Sequence, residues 1–219
     1  MSPLLKYAGA IAAAISLSSG FAGFEAAKTA GLLWIKRERM SACPSEANLP
    51  ALADGVRSLA SWSIAGLRTA PHKFAPIKAF QAYRAAESGD PTSMLKIAGA
   101  ELALGRDAQA VRWLENARLR GDPVAAPALL AMMAAAGIGM APNPDLAALR
   151  AKEALLAAAA QAKGGAELPE AAKTVGATLA GILLLPSAHR DCLTGNGALQ
   201  MLGASPAAEA IRNAAYPEK

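Results

Sequence analysis

Aromatic residues make up only 5% of this 219-residue chain, and runs of β-branched residues are scarce. Strands draw on both classes to pack a pleated surface, so a sheet is excluded as the organising element. The chain has two histidines and two cysteines. His189 and Cys192 form a His-x-x-Cys pair with no further ligands nearby. His189, Asp191 and Cys192 also make a poor nucleophile set, because near-adjacent loop residues rarely converge. His72, between a helix end and a proline, reads as a surface residue. The chain has no phosphate-binding loop, no dinucleotide fingerprint, no His-Glu-x-x-His and no Gly-x-Ser-x-Gly. No catalytic residue, metal, cofactor or small-molecule substrate is therefore expected. The net charge is +5, but the basic residues are scattered. Their one dense cluster, Lys36-Arg37-Glu38-Arg39, directly follows an apolar segment. That placement suits a membrane flank better than a nucleic-acid surface, so no nucleic-acid partner is expected.

What the chain has instead is alanine at most of its apolar positions, within a 53% hydrophobic composition. Alanine is the strongest helix former because it gives up no side-chain entropy, and its small size lets helices approach closely. The expected fold class is all-α.

The stretch from Tyr83 to Ala162 repeats itself. Gly89-Asp90-Pro91 returns as Gly121-Asp122-Pro123, Gly99 as Ala131 and Gly105 as Gly137, each 32 residues on. A fixed period in the range of about 20–50 residues marks stacked helical units. Aspartate before proline is an N-cap followed by proline at the first helical position. The expected helices run from Pro91 to Leu104, Asp107 to Arg120, Pro123 to Ala136 and Asp145 to Ala162, with a weaker one from Pro169 to Leu185. Small residues at Gly99, Ala131 and Gly176 are expected to admit a partner helix, and Gly105, Gly137 and Gly139 to form the turns between helices. One unit cannot bury its apolar face alone, so neighbours must stack.

Within the first unit, Ala98-Gly99-x-x-Leu102-x-x-Gly105 precedes Ala110-Val111-Arg112-Trp113-Leu114-Glu115-Asn116-Ala117 and then Gly121-Asp122. In the second, Leu130-Ala131, Gly137-Ile138-Gly139 and Asp145 occupy the matching places. This resembles the Sel1-like repeat, a relative of the tetratricopeptide repeat, over roughly residues 77–185. Leu102 and Ala134 stand where that family commonly has an aromatic, and no third unit completes its second helix cleanly. The resemblance implies antiparallel helix pairs in a short superhelix, with a concave groove lined by the first helix of each pair. Such grooves take up peptides or partner helices, so the resemblance implies a protein-binding scaffold. Met94, Lys96, Glu101, Met132 and Met133 are the groove candidates, with a core role for each methionine equally open.

Before the repeats, Tyr7 to Phe24 carries no charge, and apolar character resumes from Gly31 to Ile35. It reads as a retained membrane anchor with Trp34, Lys36 and Arg37 at the interface, or as a cleaved secretory signal. Residues 1–40 are thus an anchor or signal segment, 41–50 a linker, and 51–215 a helical domain. Within that domain helices are expected from Ala51 to Thr69 and from Ile77 to Ser88, with a short capping helix from Ala207 to Ala215. Trp62 is expected to fill a core or an interface. Gly195-Asn196-Gly197 reads as a turn. Cys43 and Cys192 pair in an oxidising compartment and stay free thiols in a reducing one. The lysine and arginine asymmetry favours a cytoplasmic domain, while the signal-like start and the cysteine pair favour export. The expected placement is an inner-membrane anchor with the repeats in the periplasm. The expected task is a scaffold or accessory subunit of a bacterial envelope complex (secretion, pilus or polysaccharide export), or else a structural subunit whose N-terminal helix packs among other membrane helices.

Overall fold

Two glycine-stopped helix pairs, each begun by an aspartate, set the local pattern of the chain. The computed structural model describes residues 43–69, 76–161, 170–186 and 191–217. A short 3-10 turn at Glu46–Asn48 leads into α1 (Leu49–Thr69) and α2 (Pro76–Glu87). The helix pairs follow as α3 (Pro91–Ala103) with α4 (Asp107–Leu119), and α5 (Ala125–Ala136) with α6 (Pro144–Gln161). A third pair joins α7 (Glu170–Leu183) to α8 (Cys192–Met201), and α9 (Pro206–Ala215) ends the described chain. The described residues are all-helical, with no strand among them. The anchor or signal segment at 1–40, His72 and His189 lie outside the described residues, and no described helix is long and apolar enough to cross a membrane.

Local chemistry accounts for the boundaries. Asp90 caps α3 by accepting the Ser93 N–H at 2.9 Å, with Pro91 at the first position. Its carboxyl is held below the usual range, first by its hydrogen bond with the Ser93 side chain and then by backbone N–H groups. The second unit departs from this pattern. Its helix begins at Ala125 rather than Pro123, and Asp122 reaches over the intervening residues to the Ala126 N–H at 2.7 Å. The cap is kept while its helix slides by two residues. Likewise α1 starts inside the expected linker, at Leu49, because Pro50 falls in the first turn, where its missing N–H costs nothing.

Gly195-Asn196-Gly197 is not a turn but part of α8. A Cβ on Gly195 would stand 2.7 Å from the Ala180 carbonyl oxygen, so the glycine is there for close approach of α8 to α7. The third pair is therefore completed, by a helix whose glycines disguise it. Gly176 faces the Leu202 side chain beyond α8, and Gly105 meets nothing. The latter is thus a turn-former at φ 72° rather than a packing residue. Gly99 and Ala131 are buried.

Gly139 joins one unit to the next. It has φ +72°, and a Cβ there would lie 2.6 Å from the carbonyl oxygen of Asp107, at the start of α4. The backbone of the second unit's turn thus rests directly on the first unit's second helix. Gly139→Ala, which adds both a clash and a left-handed alanine, is expected to destabilise the domain by about 1–3 kcal/mol. Gly197→Ala, at a helical position where the new Cβ meets nothing within 4 Å, should stabilise it by about 0.4–1 kcal/mol. Thermal unfolding of the two variants checks the contrast in sign.

Candidate functional site

The first helices of the three pairs, α3, α5 and α7, form one layer, and α1 packs against all three as well as against α9. Its inner stripe is Leu52, Val56, Ala60, Ile64 and Leu67, each buried and spaced at one helical turn. Burying a Leu, Val or Ile side chain in this way contributes roughly 1.5–3 kcal/mol. Val56 sits over Gly181 of α7, where a Cβ would come within 2.8 Å of its methyl group. Three further links fix the ends. Asn48 donates from Nδ2 to the Ala215 carbonyl at 3.1 Å, and Arg68 pairs with Asp107 at 2.5 Å. Cys43 and Cys192 are bonded, with 5.7 Å between their Cα atoms.

The face that the sequence marks as a groove is consequently occupied by the chain itself. Met132 and Met133 are fully buried in α5, and Met94 is 4% exposed. Glu101, 5% exposed, belongs to a different place, the junction of α2, α3 and α4. It accepts a hydrogen bond from the Tyr83 hydroxyl at 2.9 Å, with Arg106 at 3.7 Å and Trp113 edge-on to the Tyr83 ring. Burial raises the Tyr83 phenol above its ordinary value, and the hydrogen bond and charge of Glu101 raise it further. Lys96 is half-buried on α3. The five candidates do not form one open surface, which corrects the expectation of a free groove. The signal was present in the sequence: AAPALLAMMAAA in α5 has no polar position, and a helix apolar all round is covered all round.

The second helices form the outer layer. Glu115 and Arg118 of α4 meet Arg150 and Glu153 of α6 in a ring of alternating charge. Its contacts are Arg118–Glu115 at 2.8 Å, Arg150–Glu115 at 3.1 Å, Arg150–Glu153 at 3.0 Å and Arg118–Glu153 at 4.0 Å. Beside it a cleft of about 310 Å³ is lined by Arg118, Gly121, Asp122, Pro123, Pro127, Glu153 and Ala157. The ring escaped the sequence reading, although both helices place an acid and an arginine three apart. Further along, Lys152 pairs with Asp191 at 2.7 Å, binding α6 to the start of α8.

Large apolar side chains remain on the outside: Trp62 at 67% exposure on the outer face of α1, Leu119 at 70% on α4, and Leu149 and Leu156 on α6. Trp62 thus fills no core. Among the described residues no three of His, Cys, Asp and Glu are placed to hold a metal ion. Cys192 is in the disulfide and Asp191 in an ion pair, so neither is arranged as a nucleophile or its base. No protein-family model, curated protein or solved structure matches this chain.

Two measurements follow from this geometry. In the native protein, Met94, Met132 and Met133 should be oxidised by peroxide at least roughly tenfold more slowly than after unfolding, because the reagent must reach sulfur. Comparable rates in both states would leave the groove open. Glu101→Gln should bring the Tyr83 phenol part of the way back toward its usual value near 10, since burial, the larger cause, remains. Its ultraviolet pH titration reads this. A raised phenol contributes stability that is present below the unfolded value and lost as pH rises through the folded one.

Proposed function

We propose that this chain is a non-enzymatic Sel1-like helical-repeat scaffold that serves as an assembly or accessory subunit of a bacterial envelope complex. Its repeats stand in the periplasm and are tethered through the N-terminal apolar segment. Three things support the reading. Helix pairs recur with glycine turns, an apolar segment with a basic flank precedes them, and Cys43 and Cys192 come together across nearly the whole domain. Disulfides persist in oxidising compartments, which favours export over the cytoplasm.

The observation that carries the mode of action is the seating of α1 on α3, α5 and α7. A repeat protein that clasps a peptide in its groove leaves that face open. Here the face is closed from within, so a partner meets the outer surfaces instead, where Trp62, Leu119, Leu149 and Leu156 stand exposed. This moves the reading from a peptide-clasping adaptor toward a rigid subunit whose outer surface covers a neighbour in a larger membrane assembly.

In-cell photo-crosslinking from single positions tests it. A photoreactive side chain at Trp62, Leu149 or Leu156 is expected to give discrete protein adducts, and one at Met132 none. A native gel of gently solubilised membranes should place the chain in a high-mass band with no reactive thiol. Migration as a free monomer without adducts from any outer position would sink the proposal.

A further inference from the structure

The Cys43–Cys192 bond ties the chain just before α1 to the first residue of α8. Its two sulfurs are not equally placed. Cys192 is 3% exposed within the core, whereas Cys43 is half-buried in a non-helical stretch. A reagent approaching from solvent reaches the Cys43 sulfur, and the group displaced is then the Cys192 thiolate. That thiolate would sit at the N-terminal position of a ten-residue helix, whose unpaired N–H groups favour negative charge. The neighbouring Asp191 carboxylate is offset by Lys152 at 2.7 Å.

The consequence of opening the bond follows from how α1 is held. Its C-terminal end keeps the Arg68–Asp107 pair whatever the state of the cysteines. At its N-terminal end the Asn48 hydrogen bond to Ala215 is a second polar link. Beneath this half the contact is apolar, with Leu52 and Val56 fully buried, Gly55 against Ala214 and Val56 over Gly181. The geometry points to Cys43–Cys192 as a redox latch that a dithiol reductant opens at Cys43, releasing the N-terminal half of α1 from α7 and α9. A thiolate of the dithiol attacks the Cys43 sulfur, the S–S bond breaks, and Cys192 leaves and takes up a proton. The second thiol of the reagent then displaces Cys43, which is protonated in turn. Two electrons and two protons pass to the protein, and the dithiol becomes a disulfide. The latch opens a strip of α7 and α9 around Gly181 and Ile211 without dismantling the repeats.

The test uses the full chain in mild detergent. Limiting glutathione followed by an acid quench and peptide mapping should find the mixed disulfide on Cys43. Dithiothreitol should raise hydrogen exchange over residues 49–60 by about tenfold or more, with 61–69 and α3 to α6 unchanged, and reoxidation should reverse it. Cys43→Ser with Cys192→Ser should behave like the reduced protein. An adduct on Cys192, or a bond that resists the dithiol until the chain unfolds, would overturn the latch. So would unchanged exchange once two thiols are counted, or a rise across every helix, which would make the bond a structural staple.

Discussion

The fold depends on one constraint, the need to cover both sides of a helix that has no polar side. From Ala125 to Ala134 every residue of α5 is buried, and the helix carries nothing that water would solvate. Its partner α6 and the neighbouring α4 and α7 cover part of it, and a repeat stack alone would leave the remainder facing solvent. α1 supplies the missing cover, bringing one apolar stripe across three first helices at once. Because dispersion and burial scale with contact, the many alanines matter as much as the leucines. They let α1, α4, α6 and α7 approach α5 closely enough to leave little for water to fill.

Polar groups then fix what the apolar faces leave free. The apolar stripe of α1 says which side is down, but sliding by a turn would keep much of the same burial. Asn48 on Ala215 at one end and Arg68 on Asp107 at the other select one register. Asp107 is a shared point, since its carboxylate holds α1 while its carbonyl lies under Gly139 of the next unit. On the outer layer the ring of Glu115, Arg118, Arg150 and Glu153 does the same between units. Its arginines and acids are partly screened, so it specifies alignment more than it adds stability.

Much of this was legible in the residues, and the limits are physical. Asp90 before Pro91 and the left-handed glycines are local devices whose meaning needs no tertiary context, so the repeat helices fall within about two residues of their expected ends. Glycine within α8 was misread because a glycine marks either a turn or a close approach, and only Ala180 across the interface decides which. The amphipathic stripe of α1 was readable, but a stripe says that a face is buried and not against what. The groove candidates went astray for that reason. Met132 and Met133 lie in the first helix of their pair, and they are buried by their own chain. The outer surface, where Trp62 stands, carried no signal that would separate it from core.

The seating of α1 can be read directly from one pair of positions. A Cβ on Gly55 of α1 would stand 3.7 Å from the Cβ of Ala214 in α9, close to the mean Cβ separation of about 3.8 Å in disulfides. With the native cysteines left in place, Gly55→Cys and Ala214→Cys together should form a second bond within the same molecule, identified by peptide mapping as 55–214 beside 43–192. Free thiols at 55 and 214, or a bond found only between molecules, would mean that α1 does not close the repeat face in the way described.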